Sequence, residues 1–87
     1  MKVTMVKKRL SDGGECRKCK EATEFLHAKG VWTQIDEIVW FDESDPESAG
    51  AVLADEHNMS LAPFFVFEWP GRPIQVIESV MRAYRML

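Results

Sequence analysis

The chain has 87 residues, the length of one small domain. Hydrophobic residues make up 46% and charged residues 29%, which excludes an intrinsically disordered chain and permits one modest core. A net charge of −3 argues against nucleic acid as a partner, and two cysteines are too few for a disulfide-stapled secreted scaffold.

No apolar run approaches the ~18 residues that a membrane span needs. Met1-Lys2-Val3-Thr4-Met5 has neither a long apolar stretch nor a small-residue cleavage site. The expectation is a cytoplasmic monomer that touches no membrane. Charge is unevenly placed. Residues 1–29 hold 8 Lys/Arg against 4 Asp/Glu, and residues 30–71 hold 9 Asp/Glu and no Lys or Arg. Both cysteines lie in the basic block.

Lys2 to Lys7 is short, β-rich and bounded by charge, so it reads as a strand. Ser11-Asp12-Gly13-Gly14 has the chemistry of a loop. From Cys16 the period becomes helical, with Cys19, Ala22, Phe25 and Leu26 on one face and Gly30 placed to end the helix. Ile35 to Phe41 reads as a second strand, apolar enough for burial on both faces. Asp45-Pro46-Glu47 has the signature of a helix start, with Asp45 as cap and Pro46 in the first turn. That helix buries Ala49, Val52, Leu53 and Ala54 and ends near His57-Asn58. Phe64 to Trp69 is a third strand, Pro70-Gly71-Arg72-Pro73 a turn, and Ile74 to Ile77 its hairpin partner. Ser79 caps a short last helix. The predicted order is β-α-β-α-β-β-α. A strand–helix–strand start implies a right-handed parallel crossover, so the fold class is α/β: a mixed four-stranded sheet with helices on both faces, in a single domain over residues 1–87.

Cys16-Arg17-Lys18-Cys19 is a C-x-x-C after a strand and at a helix N-terminus. The spacing alone is weak, because half of many zinc sites look the same. Zinc would need two more ligands, and the remaining histidines, His27 and His57, lie far apart in sequence. A structural disulfide would close a tiny loop and add little stability. Burial as a small hydrophobe explains Cys19 but not Cys16, which belongs on the loop side. A redox role explains both. Free N–H groups and the dipole at a helix start stabilise a thiolate, and Arg17, Lys18 and Lys20 add positive charge, with Glu15 working against them. Cys16 is the expected attacking thiol, with a pKa below the free value of about 8.5, and Cys19 the resolving one.

Leu61-Ala62-Pro63-Phe64 follows, with Pro63 at a strand start, where a residue that cannot donate to the ladder belongs. Joined to the C-x-x-C helix start and the element order, it makes the chain similar to the glutaredoxin/thioredoxin family over nearly its whole length. The resemblance implies a thioredoxin-like fold and a cis Ala62–Pro63 bond opposite the cysteines. It also implies that the Ala62 backbone pairs with an extended substrate. The length matches glutaredoxins better than thioredoxins, and Trp-Cys-Gly-Pro-Cys is absent.

The pattern departs from glutaredoxins at three places. Arg17-Lys18 stands where they read Pro-Tyr, Gly13 stands where they carry a glutathione-binding lysine, and Ile77-Glu78-Ser79-Val80 replaces their Gly-Gly-x-Asp. Ser79 with the last helix start is the remaining carboxylate holder, opposed by Glu78. Lys7, Lys8 and Arg9 at the end of the first strand, and Arg17 and Lys18 in the C-x-x-C itself, are the candidate substitutes for the missing lysine. The implied activity is thiol–disulfide oxidoreduction through Cys16 and Cys19, with no cofactor required. A disulfide-bearing protein is the expected substrate, and a reductase or glutathione the electron donor. Two other readings stay open: a glutathione-dependent [2Fe–2S] cluster-binding module, and a redox-regulated adaptor without turnover.

Overall fold

The computed structural model describes residues 1–87. The chain runs β1 (Lys2–Arg9), α1 (Arg17–Ala28), a single 3-10 turn (Trp32–Gln34), β2 (Glu37–Asp42), α2 (Ala49–Glu56), β3 (Phe64–Glu68), β4 (Gln75–Ile77) and α3 (Val80–Met86). The sheet order is β2-β1-β3-β4. β1 pairs parallel with β2 and antiparallel with β3, and β3 and β4 form an antiparallel hairpin. The result is a mixed four-stranded α/β sheet in the expected element order.

Strand periodicity sorts the side chains into two cores. Val3 and Met5 of β1 join Phe65 and Phe67 of β3, Ile77 of β4, Ala22 and Leu26 of α1, and Ala83 of α3. Val6 of β1 joins Val39, Phe64, Val66 and Ala54 of α2 on the opposite face. Helices therefore cover both faces. Phe64, Phe65 and Phe67 have no exposed surface, and burying each stabilises the fold by roughly 1.5–3 kcal/mol.

Helix ends follow from backbone chemistry. At the end of α1, Gly30 takes φ +73°, its N–H bonds to the His27 carbonyl, and the Val31 N–H reaches the Leu26 carbonyl. That is a Schellman closure, which favours glycine at the left-handed position. α2 closes in the same way, with Asn58 at φ +55°. Ser79 caps α3, its Oγ accepting from the Arg82 N–H at 3.2 Å.

Four expectations are corrected. Of the predicted buried face of α2, Ala54 alone is buried, while Ala49 and Val52 are exposed, because the helix rests on the sheet through Gly50. The second strand begins at Glu37, not Ile35, because a 3-10 turn occupies Trp32–Gln34 and Asp36 stitches the approach to β1. The Val3 N–H donates to Asp36 Oδ2 at 2.7 Å, and the Asp36 N–H to the Val3 carbonyl at 2.9 Å. β2 is also an edge strand with only Val39 buried, so its apolar run is not covered on both faces. Finally, Asp45 does not cap α2. Its Oδ1 accepts from the Glu47 N–H in a local Asx turn, and the helix starts at Ala49. Gly50 sets that start. A Cβ there would lie 2.3 Å from the Phe41 nitrogen and 2.4 Å from the Trp40 carbonyl carbon, so the first turn rests directly on the β2 backbone.

Candidate functional site

The register brings three distant segments to one end of the sheet. Val6 lies opposite Phe64, so Pro63, one residue before, reaches the Lys7–Lys8 end of β1. Phe65 lies opposite Ile77, which carries Glu78 and Ser79 to the same end. β1 itself leaves the sheet there into the loop that ends at Cys16. An Arg9–Glu15 bridge and a 2.9 Å bond from the Cys16 N–H to the Lys8 carbonyl fold this loop back.

Cys16 is the N-cap residue of α1, with an extended φ of −56° and ψ of 134°. Its carbonyl accepts the first helical bond, from the Lys20 N–H at 3.0 Å. Partial burial raises its thiol pKa. The backbone N–H groups of Cys19 and Lys18, the Cys19 side chain and the Lys8 charge together outweigh that, and the pKa lies below the ordinary thiol value. Cys19, one turn in, has no exposed surface. Its Sγ accepts from the Lys8 N–H at 3.2 Å. Burial pushes its pKa up to about 12, helped by the neighbouring Cys16 and Glu15 and opposed by the Lys8 N–H. Both cysteines are free thiols.

The Ala62–Pro63 bond is cis. The Ala62 N–H and carbonyl make no hydrogen bond within the chain. Pro63 and Lys18 line one groove of about 370 Å³ with Phe25, Val80, Glu21 and Glu78. Ala62 faces a smaller recess beside Lys8, Phe41 and Met59.

The sequence-derived site residues divide. Cys16, Cys19, Lys18, Ala62 and Pro63 converge at this end of the sheet. Arg17 does not face the groove. Its guanidinium turns along the helix to Glu21, Nε to Oε1 3.1 Å, on a side chain that is 91% exposed. The Ser79 hydroxyl is taken up by the α3 cap, and Glu78 presents a carboxylate to the groove instead. No three His, Cys, Asp or Glu side chains gather as a metal site. His27 stacks on Trp32 at 4.6 Å, and His57 terminates α2.

Two contributors were named from sequence only as substitutes for the missing lysine, not for the roles they take here. Lys8 serves both thiols, by its N–H to Cys19 and its charge to Cys16. Lys7 is only 7% exposed and contacts Glu15, the residue before the nucleophile. Period-2 alternation could have found the second, since Lys7 shares a face with Val3 and Met5. No family model, curated protein or solved structure matches the chain.

Proposed function

We propose that the chain is a thiol–disulfide oxidoreductase of thioredoxin-like topology, similar to the glutaredoxins, working through Cys16 and Cys19. The observation that carries the reading is the opposite tuning of two thiols one helical turn apart. One is partly exposed, with its pKa lowered below the ordinary thiol value; the other is buried, with its pKa raised. Only a thiolate attacks a disulfide, so the pair has a nucleophile and a reserve.

The Cys16 thiolate attacks one sulfur of a substrate disulfide. The substrate S–S bond breaks, a bond from Cys16 Sγ to that sulfur forms, and the other substrate sulfur leaves as a thiolate. Loss of the Cys16 negative charge removes one of the influences that raise Cys19. Cys19 gives its proton to the departed thiolate and attacks Cys16 Sγ. The Cys16–Cys19 disulfide closes, and the second substrate thiolate leaves and takes a proton from water. Two electrons pass to the substrate, and a reductase dithiol or two glutathione thiols must restore the pair. The unpaired Ala62 backbone and the groove at Pro63 supply an edge on which an extended disulfide-bearing protein is held.

Alkylation of the reduced protein near neutral pH, followed by peptide mapping, tests the assignment. Cys16 is expected to label first. Cys16→Ser should abolish disulfide reduction, and Cys19→Ser should accumulate mixed disulfides. Faster labelling of Cys19 sinks the reading.

A further inference from the structure

Lys7 is an anomaly near the end of an inner strand. It follows Val3 and Met5 on the α1 face of β1, and its ammonium is enclosed by protein. Trp40, its register partner on β2, lies 4.9 Å from Nζ, and Trp32 lies 5.9 Å away. Two indole faces favour a cation but accept no ordinary hydrogen bond. The anion is Glu15, whose Oε1 meets Lys7 Nζ. Glu15 Oε1 is itself buried and has no hydrogen-bond partner of good geometry, so its compensation is the Lys7 charge. A buried ion this poorly satisfied is costly to keep. A strand position between Met5 and Lys8 would be filled more stably by an apolar side chain.

The pair's location supplies a reason. Glu15 directly precedes Cys16, and its carboxylate is the negative group nearest in sequence to the thiolate. The groups that act on Cys16 are the Lys8 charge from β1 and, from α1, the Lys18 and Cys19 N–H groups and the Cys19 side chain; Glu15 precedes it in the chain, and Glu78 lines the groove with Lys18. Arg17 is turned away to Glu21. Of the charged groups here, Glu15 is partly buried, with its Oε1 atom out of contact with water and turned to Lys7.

We propose that Lys7 is a positioning residue for the Cys16 thiolate: from within its tryptophan enclosure it neutralises Glu15 and ties it down, so that the carboxylate beside the nucleophile does not repel the developing negative sulfur. The inference rests on Cys16 being the attacking thiol.

The experiment is the pH profile of alkylation at Cys16 in the full chain, with peptide mapping, for wild type, Glu15→Gln, Lys7→Met and the Lys7→Met/Glu15→Gln double variant. Glu15→Gln should leave the midpoint within a few tenths of a unit, because the charge it removes is already cancelled. Lys7→Met should raise the midpoint by about one unit, slowing alkylation about tenfold below it. The double variant should return to the wild-type value, which a merely structural pair would not require. An unmoved midpoint in Lys7→Met overturns the proposal. So does a raised midpoint that the double variant fails to restore. If Lys7→Met does not fold, Glu15→Gln still decides against the proposal by lowering the midpoint about one unit. Preferential labelling of Cys19 in the wild type instead overturns the assignment of the attacking thiol, so the two failures are distinct.

Discussion

Glu78 and Lys18 line the groove beside Pro63 with opposite charges. The sequence resemblance directs a glutathione carboxylate toward the segment Ile77–Val80, and the groove there holds the Glu78 carboxylate while the Ser79 hydroxyl is bonded to its own helix. Lys18 is the groove's cation. A like charge placed against an incoming carboxylate replaces a charge-assisted hydrogen bond worth roughly 1.5–3 kcal/mol, which is about tenfold or more in affinity. Wild-type protein should therefore use millimolar glutathione poorly, and Glu78→Gln should improve its KM with kcat little changed. A coupled glutathione assay checks this; equal KM values for the two proteins would show that Glu78 does not face the donor. Lys8 gives a second prediction. Its charge helps hold Cys16 below the ordinary thiol value, and Lys8→Met should raise the alkylation midpoint while leaving Cys19 buried, since its N–H to Cys19 Sγ is a backbone group.

At the scale of elements, the helix start at Ala49 is governed by contact, not by capping chemistry. Asp45-Pro46-Glu47 has all the local signals of a first turn, yet the turn begins four residues after Asp45, where Gly50 lets α2 sit on the backbone of β2. Intrinsic propensity favours Gly50→Ala by about 1 kcal/mol. A methyl group 2.3 Å from the Phe41 nitrogen requires α2 to lift, and overpacking of that kind costs typically 1–3 kcal/mol. The substitution should lower the midpoint of chemical denaturation; a gain in stability would mean that α2 moves freely on the sheet. The same contrast explains what the sequence discloses. The order of elements along the chain, the Gly30 closure, the Ser79 cap and the paired cysteines are readable because each depends on near neighbours in the chain. The exposed flank of β2, the late start of α2 and the burial of Lys7 depend on which strand ends up beside which. Periodicity within Glu37–Asp42 does not reveal that its far side lacks a partner strand.

For the molecule as a whole, the two thiols pull stability in opposite directions with pH. The pKa of Cys16 is depressed in the folded state, so its contribution is present above the unfolded thiol value and is lost as pH falls through the folded one. The pKa of Cys19 is raised from 9.0 to about 12. Above pH 9.0 the unfolded chain releases that proton while the folded chain keeps it, so stability falls toward pH 12. The limiting slope is about 1.4 kcal/mol per pH unit for one buried group. Denaturation of the reduced protein across this range should show the decline, and Cys19→Ala should remove it. An identical decline in Cys19→Ala would assign it to other groups.

The edge position of β2 has a consequence for how copies of the chain meet. A strand with an open flank offers unpaired N–H and carbonyl groups to any other strand, including its own twin. If two β2 strands paired antiparallel in full register, Val39 would meet Trp40, and Glu37 of each copy would fall opposite Asp42 of the other. Like charges directly across a ladder are destabilising, and this arrangement contains two such pairs. Asp36 and Glu43 extend the negative rim by one residue at each end. In that register like charges face each other at both ends of β2, although Lys2 pairs with Glu37 within each copy, so the acidic ends of the strand disfavour its pairing with a twin in this one arrangement.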